Sequence, residues 1–317
     1  LTAGKDIQES SMKRLVLLNP KSNHGRAASK YYKMHPNLVR EFGEFELYET
    51  KGPMDATRRV REALQTGSHD QILVAGGDGS INEAMNGYFE KGKIVNQKVP
   101  LGILNLGTGG DFYRTVKKMS PLYAQAIYSN TFRLVDCGKV QATDQAERYF
   151  INVTSAGMAG NVLKSLKSSS FQRGSAAYFY HTLKGLTGYT PVRCQIDMEL
   201  AGGRKTIERD VLNFFICNAS YSGGGMHWTP QGSLEDGFFD LVLISGVSKL
   251  KLVMESYKIY MGRVAAVSGV EQFQARGLVL RPAAPLTYEL DGEIGAQSGT
   301  LREIQYTILP GTFPLVL

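Results

Sequence analysis

A short apolar run, broken by three glycines and resumed as a helical pattern, constrains this chain more than any other stretch: QILVAGGDGSINEAMNGYF at 71–89. Residues 72–75 are continuously apolar, as in a strand buried on both faces. The run stops at Gly76-Gly77-Asp78-Gly79-Ser80, after which Ile81, Ala84, Met85, Tyr88 and Phe89 recur at the spacing of one helix face. The glycines therefore occupy a strand-to-helix turn. There they are expected to supply φ > 0 and close approach, while the helix start offers N–H groups to an anion. Phosphate is the natural anion. Asp78 would repel it directly, so its expected role is through Mg²⁺ or by orienting a water or ribose hydroxyl. A glycine-rich turn that merely ends a core strand has the same local pattern.

At 317 residues the chain is longer than a single core usually supports, so two domains are expected. No stretch approaches the ~18 to 20 consecutive apolar residues that span a bilayer, and LTAGKDIQESS at the start has no apolar leader core, so a soluble, cytoplasmic protein is expected. Cys137, Cys194 and Cys217 are odd in number and widely spaced, which favours reduced core residues over disulfides or zinc ligands. A net charge of +7 and a pI near 9.1 favour polyanionic company: nucleic acid, nucleotide or an anionic membrane surface. The basic residues form no tract and no nucleic-acid-binding signature is present, so nucleic acid is not expected as a partner.

Taken in order, 15–18 reads as a first strand running into the polar turn 19–26, then a helical stretch interrupted at Pro36. A strand at 45–49 follows, then a helix opened by Pro53, the glycine-rich element, a strand at 101–104, a second polar loop at 105–111, and a helix with Ser120 as N-cap and Pro121 at its first position. This alternation implies a parallel sheet with helices on both faces, its polar loops gathered beyond the carboxyl ends of the strands. From about residue 134 the texture becomes mainly β, with strands expected at 133–143, 148–154, 192–201, 206–218, 238–245, 272–281 and 286–290. A helix is expected at 249–263. Residues 164–188 are helical in places, and carry Phe171, Tyr178, Phe179 and Tyr180 among Lys164, Lys167, Arg173 and Lys184; such aromatics are either core or membrane contacts. The expected organisation is an α/β domain at 12–133 with a three-layer parallel sheet, and a mainly β domain at 134–308. The apolar end, 309–317, returns to the first domain.

With these residues in view, the chain resembles the bacterial diacylglycerol kinase family of soluble lipid kinases, related to sphingosine kinases and NAD kinases. Seven motifs occur in the family's order: NPKSNHG at 19–25, GGDGSINEAMNG at 76–87, PLGILNLGTGGDF at 100–112, FINVTSAG at 150–157, YSGGG at 221–225, LEDGFFDLVLI at 234–244 and DGE at 291–293. The resemblance implies that the α/β domain binds nucleotide, that the second domain is a β sandwich, and that an active cleft between them carries out ATP-dependent phosphorylation of a lipid hydroxyl, with diacylglycerol among the candidate lipids. It implies ATP contacts at Asn19, Thr50, Gly76, Gly77, Asp78, Gly79, Ser80, Ile81, Asn82 and Thr108. Mg²⁺ falls on Asp236 with the carbonyls of Ser233 and Phe238, an oxygen set that suits a hard cation. Glu293 falls on the catalytic base, and Asp78, Asp111, Asp136 and Arg26 on its supporting charges. The implied partners are a lipid substrate and an anionic membrane surface, met peripherally; a homodimer stays open.

Three departures stand out, one of them the family's NPxSG loop, stretched here to Asn19-Pro20-Lys21-Ser22-Asn23-His24-Gly25, which leaves that loop's phosphate-side contacts open. Ser80 replaces the usual Thr but keeps a hydroxyl, and Gly110 replaces the usual Asn, so the second loop is expected to lose a contact. Two other readings remain: a kinase of a soluble substrate, as in NAD kinases, and a non-catalytic nucleotide or lipid sensor. The joint presence of Asp78, Asp236 and Glu293 favours catalysis, because a binder has no need of a general base.

Overall fold

The structure, a computed structural model, describes residues 12–167, 174–295 and 302–317. The first eleven residues, Phe171 and Arg173 lie outside the described residues, as do the side chains of Lys167, Tyr178 and Phe179. The first part of the chain runs β1 (Arg14–Leu18), a 3-10 turn (Ser22–Gly25), α1 (Arg26–Phe42), β2 (Glu46–Glu49), α2 (Asp55–Thr66), β3 (Gln71–Gly76), α3 (Asp78–Gly87), the ribbon β4 (Phe89–Glu90) and β5 (Lys93–Ile94), β6 (Leu101–Asn105), α4 (Asp111–Met119) and α5 (Tyr123–Ser129). Strands β6, β3, β1 and β2 lie side by side, all parallel, with Val16 beside Leu73 and Val74 beside Ile103. Both faces of β1 and β3 are covered by helices, which is why their sequences are continuous apolar runs instead of alternating ones.

Buried among these strands, Arg14 donates to Gln71 Oε1 (2.8 Å) and to the carbonyls of Phe42 (3.4 Å) and Tyr128 (3.0 Å), so its charge reaches the bottom of the sheet fully engaged. Two sequence expectations change here. Helix α1 runs through Pro36 without a break. Pro36 faces solvent, where water can satisfy the carbonyl one turn earlier that loses its N–H partner. Ser120 is not an N-cap: it follows the last turn of α4, while α5 starts at Tyr123 after Leu122. The pair Ser120-Pro121 thus makes a corner between two short helices, of which the first, α4, had no counterpart in the sequence reading.

The second part runs β7 (Phe132–Ala142), β8 (Arg148–Phe150), β9 (Val153–Gly157), α6 (Met158–Lys167), α7 (Gly174–Gly188), β10 (Val192–Leu200), β11 (Gly203–Cys217), β12 (Tyr221–Ser222), β13 (Met226–His227), β14 (Phe239–Ser245), α8 (Lys249–Glu255), α9 (Tyr257–Tyr260), β15 (Val270–Pro282), β16 (Tyr288–Leu290), β17 (Glu293–Ile294) and β18 (Ile304–Val316). It is antiparallel and β-rich. Along β10, Cys194, Ile196 and Met198 point inward while their neighbours do not, the alternation of a half-buried strand. One apolar core lies between the sheets around Phe214, Leu241, Leu280 and Tyr306; another lies beneath α6 to α9 around Phe215, Trp228 and Ile244. The three cysteines are buried and free. No helix among the described residues is long and apolar enough to cross a membrane.

Strand β18 joins the two parts. It pairs antiparallel with β15 and β7, and at its end parallel with β6 through Leu315 and Leu101, so one sheet passes from the parallel region into the antiparallel one. Asp136 on β7 holds the crossing loops: its carboxylate accepts from the N–H groups of Gly237 (2.6 Å) and Gly311 (2.7 Å).

Close packing in this region generates a test. Gly138 pairs with Phe150 across β7 and β8, and a Cβ at 138 would overlap the Phe150 ring, which is itself stacked on Phe239. Gly138→Ala is expected to destabilise the protein by ~1 to 3 kcal/mol through overpacking, read as a lower urea midpoint with an unchanged m-value.

Candidate functional site

The carboxyl ends of the parallel strands open into a cleft of about 370 Å³. One wall is made by Ser22 and Asn23 after β1, Gly77 to Gly79 after β3 and Gly107 to Gly109 before α4. The facing wall comes from Leu163 of α6, Gly223 and Gly224 between β12 and β13, and the Asp291-Gly292-Glu293 turn between β16 and β17. Residues distant in sequence thus meet across a gap between the parallel sheet and the β-rich part.

The glycines of the first loop serve close packing, and the expected φ > 0 is not found at Gly76, Gly77 or Gly79. Gly77 is extended (φ −109°, ψ −171°) and caps α3, with the Gly107 backbone 3.2 Å from where its Cβ would sit. At Gly76 a Cβ would meet the Ser80 hydroxyl at 2.5 Å. The loop is tight because two backbone segments and a side chain share its space. Gly79 is the point where a Cβ would lie 3.3 Å from the Glu293 carboxylate, so Glu293 rests over the first turn of α3.

The other expected ATP contacts separate into groups. Asn19 donates to the Ser80 hydroxyl (2.9 Å), which stitches the β1 loop to the α3 start, and Thr108 lines the cleft. Ile81 is buried in the first core. Asn82 faces away from the cleft, donating to Asp291 Oδ2 (2.9 Å) and to the Tyr149 carbonyl (3.0 Å). Thr50 follows β2 at the same sheet edge, outside the cleft lining, and Arg26 is exposed at the start of α1.

Behind the cleft lies a chamber of about 100 Å³ shared by Asp78, Asp111, Asn152, Ser222, Glu289 and Asp291. Asp78 accepts from the N–H groups of Asp111 (3.2 Å) and Phe112 (3.1 Å), so it caps the positive end of α4; burial nevertheless pushes its carboxyl up. Asp111 accepts from Arg114 (2.9 Å) and from the Gly224 N–H (2.8 Å), and burial, with Asp78 beside it, pushes it up to about 6. Asp291 accepts from Asn82 and from three successive backbone N–H groups, those of Ile151, Asn152 and Val153, at 3.0 to 3.1 Å, and burial pushes it up to about 6. Glu289 is buried, accepts from the Gly292 N–H (3.0 Å) and is pushed up to about 8, chiefly by desolvation. Beyond this chamber, and sharing Ala159 and Phe215 with it, is an apolar cavity of about 70 Å³ lined by Met158, Val162, Leu186, Trp228, Leu252 and Ile259. Polarity therefore falls from cleft to chamber to cavity.

The sequence reading missed Arg114, a cation on the cleft wall whose only signal was its place one turn after Asp111. It also missed Asn105. Gly110 adopts the left-handed conformation (φ 61°, ψ 36°), and the Asn105 amide fills the adjoining space, its Nδ2 2.5 Å from where a Cβ on Gly110 would be. The contact expected to be lost at 110 thus has an amide from the end of β6 in its place.

Ser233, Asp236 and Phe238 lie away from the cleft lining, in the loop before β14. Asp236 Oδ1 accepts from the Phe238 N–H (3.0 Å), while burial and the neighbouring Asp136 push the Asp236 carboxyl up. Among the described residues no three acidic, His or Cys side chains converge as a metal site. A cation here would rest on the Asp236 carboxylate and backbone oxygens, and that all-oxygen set beside a second acid fits a hard divalent ion.

Comparison with known proteins matches both parts. Residues 13–140 match a family model described as diacylglycerol kinase catalytic domain, and 152–316 one described as YegS C-terminal NAD kinase beta sandwich-like domain. The chain is 25% identical to a diacylglycerol kinase of Bacillus subtilis over 95% of this chain and 93% of that one. It is 26% identical to a protein of Pectobacterium atrosepticum named "probable lipid kinase YegS-like", over 88% of each. Its fold is similar to the crystal structure of a diacylglycerol kinase from Bacillus anthracis, with a TM-score of 0.65 and 20% identity over 96% of each chain.

The buried carboxyl of Glu289 gives the site a pH signature. Unfolded, it releases its proton near 4.5; folded, near about 8. The folded state binds more protons between these values, so stability falls as pH rises through them, by about 1 kcal/mol per unit. Asp111 and Asp291 contribute the same sign only up to about 6. Between about pH 6 and 8 the urea-derived stability of the parent is expected to decline, and Glu289→Gln is expected to flatten that decline.

Proposed function

This chain belongs to the diacylglycerol kinase family and is a lipid kinase, and on that premise we propose that it transfers the γ-phosphate of ATP to a lipid hydroxyl at a membrane surface, with Glu293 as general base. The observation that carries the reading is the meeting, in one cleft, of the tight loops at 22–23, 77–79 and 107–109 with the Glu293 turn, opening through a polar chamber to an apolar cavity. The apolar cavity favours a lipid acceptor over a soluble alcohol.

The phosphate side belongs to the Asn19 loop, Gly76 to Asn82 and Thr108, with Thr50 at the edge of the sheet; Asn82 acts there by fixing the Asp291 turn. Arg114 faces the same cleft and answers the anionic charge of the phosphates. ATP would supply the phosphoryl group and Mg²⁺ the positive charge that phosphoryl transfer requires, while Asp236 with the Ser233 and Phe238 carbonyls, away from the cleft, would hold an ion as a brace on the loop that Asp136 ties to β18. Glu293 takes the proton of the attacking hydroxyl as its oxygen bonds to phosphorus and the bond to the departing ADP breaks. Asp78 and Asp111 position the α3 and α4 starts around that event. Use of ATP suits an enzyme that meets the membrane peripherally from the cytoplasm.

Glu293→Gln keeps the size of the side chain and removes the base, so kcat is expected to fall ~10² to 10⁴-fold with ATP affinity little changed. Near-parental turnover would move the base elsewhere. Asp236→Ala is expected to abolish the rise in Tm that Mg²⁺ gives the parent, since only a bound ion stabilises the folded state by mass action. An unchanged thermal response would leave Asp236 as a turn former.

A further inference from the structure

Of the thirteen large hydrophobic side chains exposed among the described residues, five fall within twelve residues of one another: Leu250, Met254, Tyr257, Tyr260 and Met261. That is a patch and not the usual scatter. Helices α8 and α9 join through Ser256, whose backbone (φ −57°, ψ −29°) keeps the right-handed helical form, so one helical course runs from Lys249 to Tyr260. At about 100° per residue, Leu250, Met254, Tyr257 and Met261 fall within an arc of about 60°. Their exposures of 72%, 68%, 58% and 56% place this arc fully toward solvent. The opposite face, Leu252 and Ile259, is buried and lines the apolar cavity.

The charge around the arc has one sign. Lys249, Lys251, Lys258 and Arg263 flank it, with Lys251 and Arg263 exposed, and Lys184 is exposed on α7, which packs on α8. The sole acid of the stretch, Glu255, is turned inward: it accepts from the Ser268 N–H (2.6 Å) and pairs with Lys258 (3.3 Å).

We propose that the outer face of α8–α9 is the surface by which this protein docks on an anionic lipid leaflet, Leu250, Met254, Tyr257 and Met261 entering the acyl boundary while Lys251 and Arg263 meet the headgroup phosphates. This rests on the lipid-kinase reading for its purpose, though not for its geometry. An apolar stripe rimmed by basic residues is the pattern of a helix lying in a membrane interface. A second copy of this chain is disfavoured as the occupant, because a twofold contact would set one basic rim against another. Docked this way, the apolar cavity lies one helix thickness, about 10 Å, behind the leaflet, which gives the helix pair the two apolar faces it carries.

The test uses the full chain without ATP and vesicles of phosphatidylcholine with and without phosphatidylglycerol. The parent is expected to sediment with the anionic vesicles and not the neutral ones. Leu250→Ser/Met254→Ser/Tyr257→Ser/Met261→Ser is expected to lower partitioning by about a hundredfold, and Lys251→Glu/Arg263→Glu to lower it by about tenfold. Both should keep the parental Tm and the parental turnover of monomeric dihexanoylglycerol, because none of these side chains lines the cleft, chamber or cavity. Parental vesicle binding by the fourfold variant overturns the proposal. So does a fourfold variant that changes only the oligomeric mass, which would give the face to a second copy. If the parent binds anionic vesicles through this face but phosphorylates neither vesicle-borne nor monomeric diacylglycerol, docking stands and the proposed acceptor falls.

Discussion

A carboxylate placed inside a protein must be met by enough donors to replace its water, and here Asp291 meets that demand across the seam between the two domains. Its oxygens take one N–H from the side chain of Asn82 in α3 and three from consecutive backbone amides where β8 gives way to β9. Its own N–H goes to the Val153 carbonyl. These bonds leave the Asp291-Gly292 turn little freedom, and both residues take positive φ (46° and 82°), as a two-residue hairpin turn of this kind requires. The position of Glu293 follows from them. The residue that does the proposed chemistry is held not by its own contacts alone but by a neighbour whose partners come from both walls of the cleft.

A second buried acid does a similar job for the sheet. The passage of β18 from antiparallel to parallel neighbours requires the chain to break its register, which shifts between Leu309 and Phe313 opposite β7. At that break the Gly311 N–H has no strand to donate to, and Asp136 accepts it together with the Gly237 N–H. The loop holding Asp236 is thereby tied to the strand that unites the two sheets, so an ion held there would act on domain geometry at a distance from the cleft.

These two nodes explain what the sequence could and could not reveal. Continuous apolar runs such as 72–75 identify buried parallel strands because burial on both faces leaves no other composition, and alternation at 194, 196 and 198 identifies a half-buried one. The order of seven motifs, with its resemblance to a known family, pointed to Gly77, Asp78, Gly79, Thr108 and Glu293, which line the cleft, and equally to Thr50, Ile81, Asn82 and Asp236, which do not. Contacts made by side-chain direction were hidden. Nothing in GGDGSINEAMNG says that Asn82 turns toward Asp291 or that Asp78 caps a helix beginning 33 residues later. Helix breaks were misread for a related reason: Pro36 breaks a helix only where its lost hydrogen bond cannot be replaced by water, and its solvent-facing position was not legible in the sequence.

Charge distribution across the cleft carries the last step. The first-domain wall of the cleft carries the glycines of two loops, Ser22, Asn23, Thr108 and Arg114 with a single acid, Asp78, while the chamber behind gathers four acids, Asp78 among them, whose carboxyls are all raised by burial. On the proposed reading a phosphate chain would be favoured beside Arg114 and disfavoured in the chamber. A hydroxyl is the reverse case: it can donate to a carboxylate, and in the proposed reaction the lipid tail behind it would gain by entering the apolar cavity beyond. Phosphoryl donor and acceptor would then be sorted to opposite sides of Glu293 by electrostatics and hydrophobicity together, before any specific contact is made. Burial, which pushes Glu289 up to about 8, favours its neutral form there and so lowers the charge that the four acids bring together beside the seam that Asp291 closes.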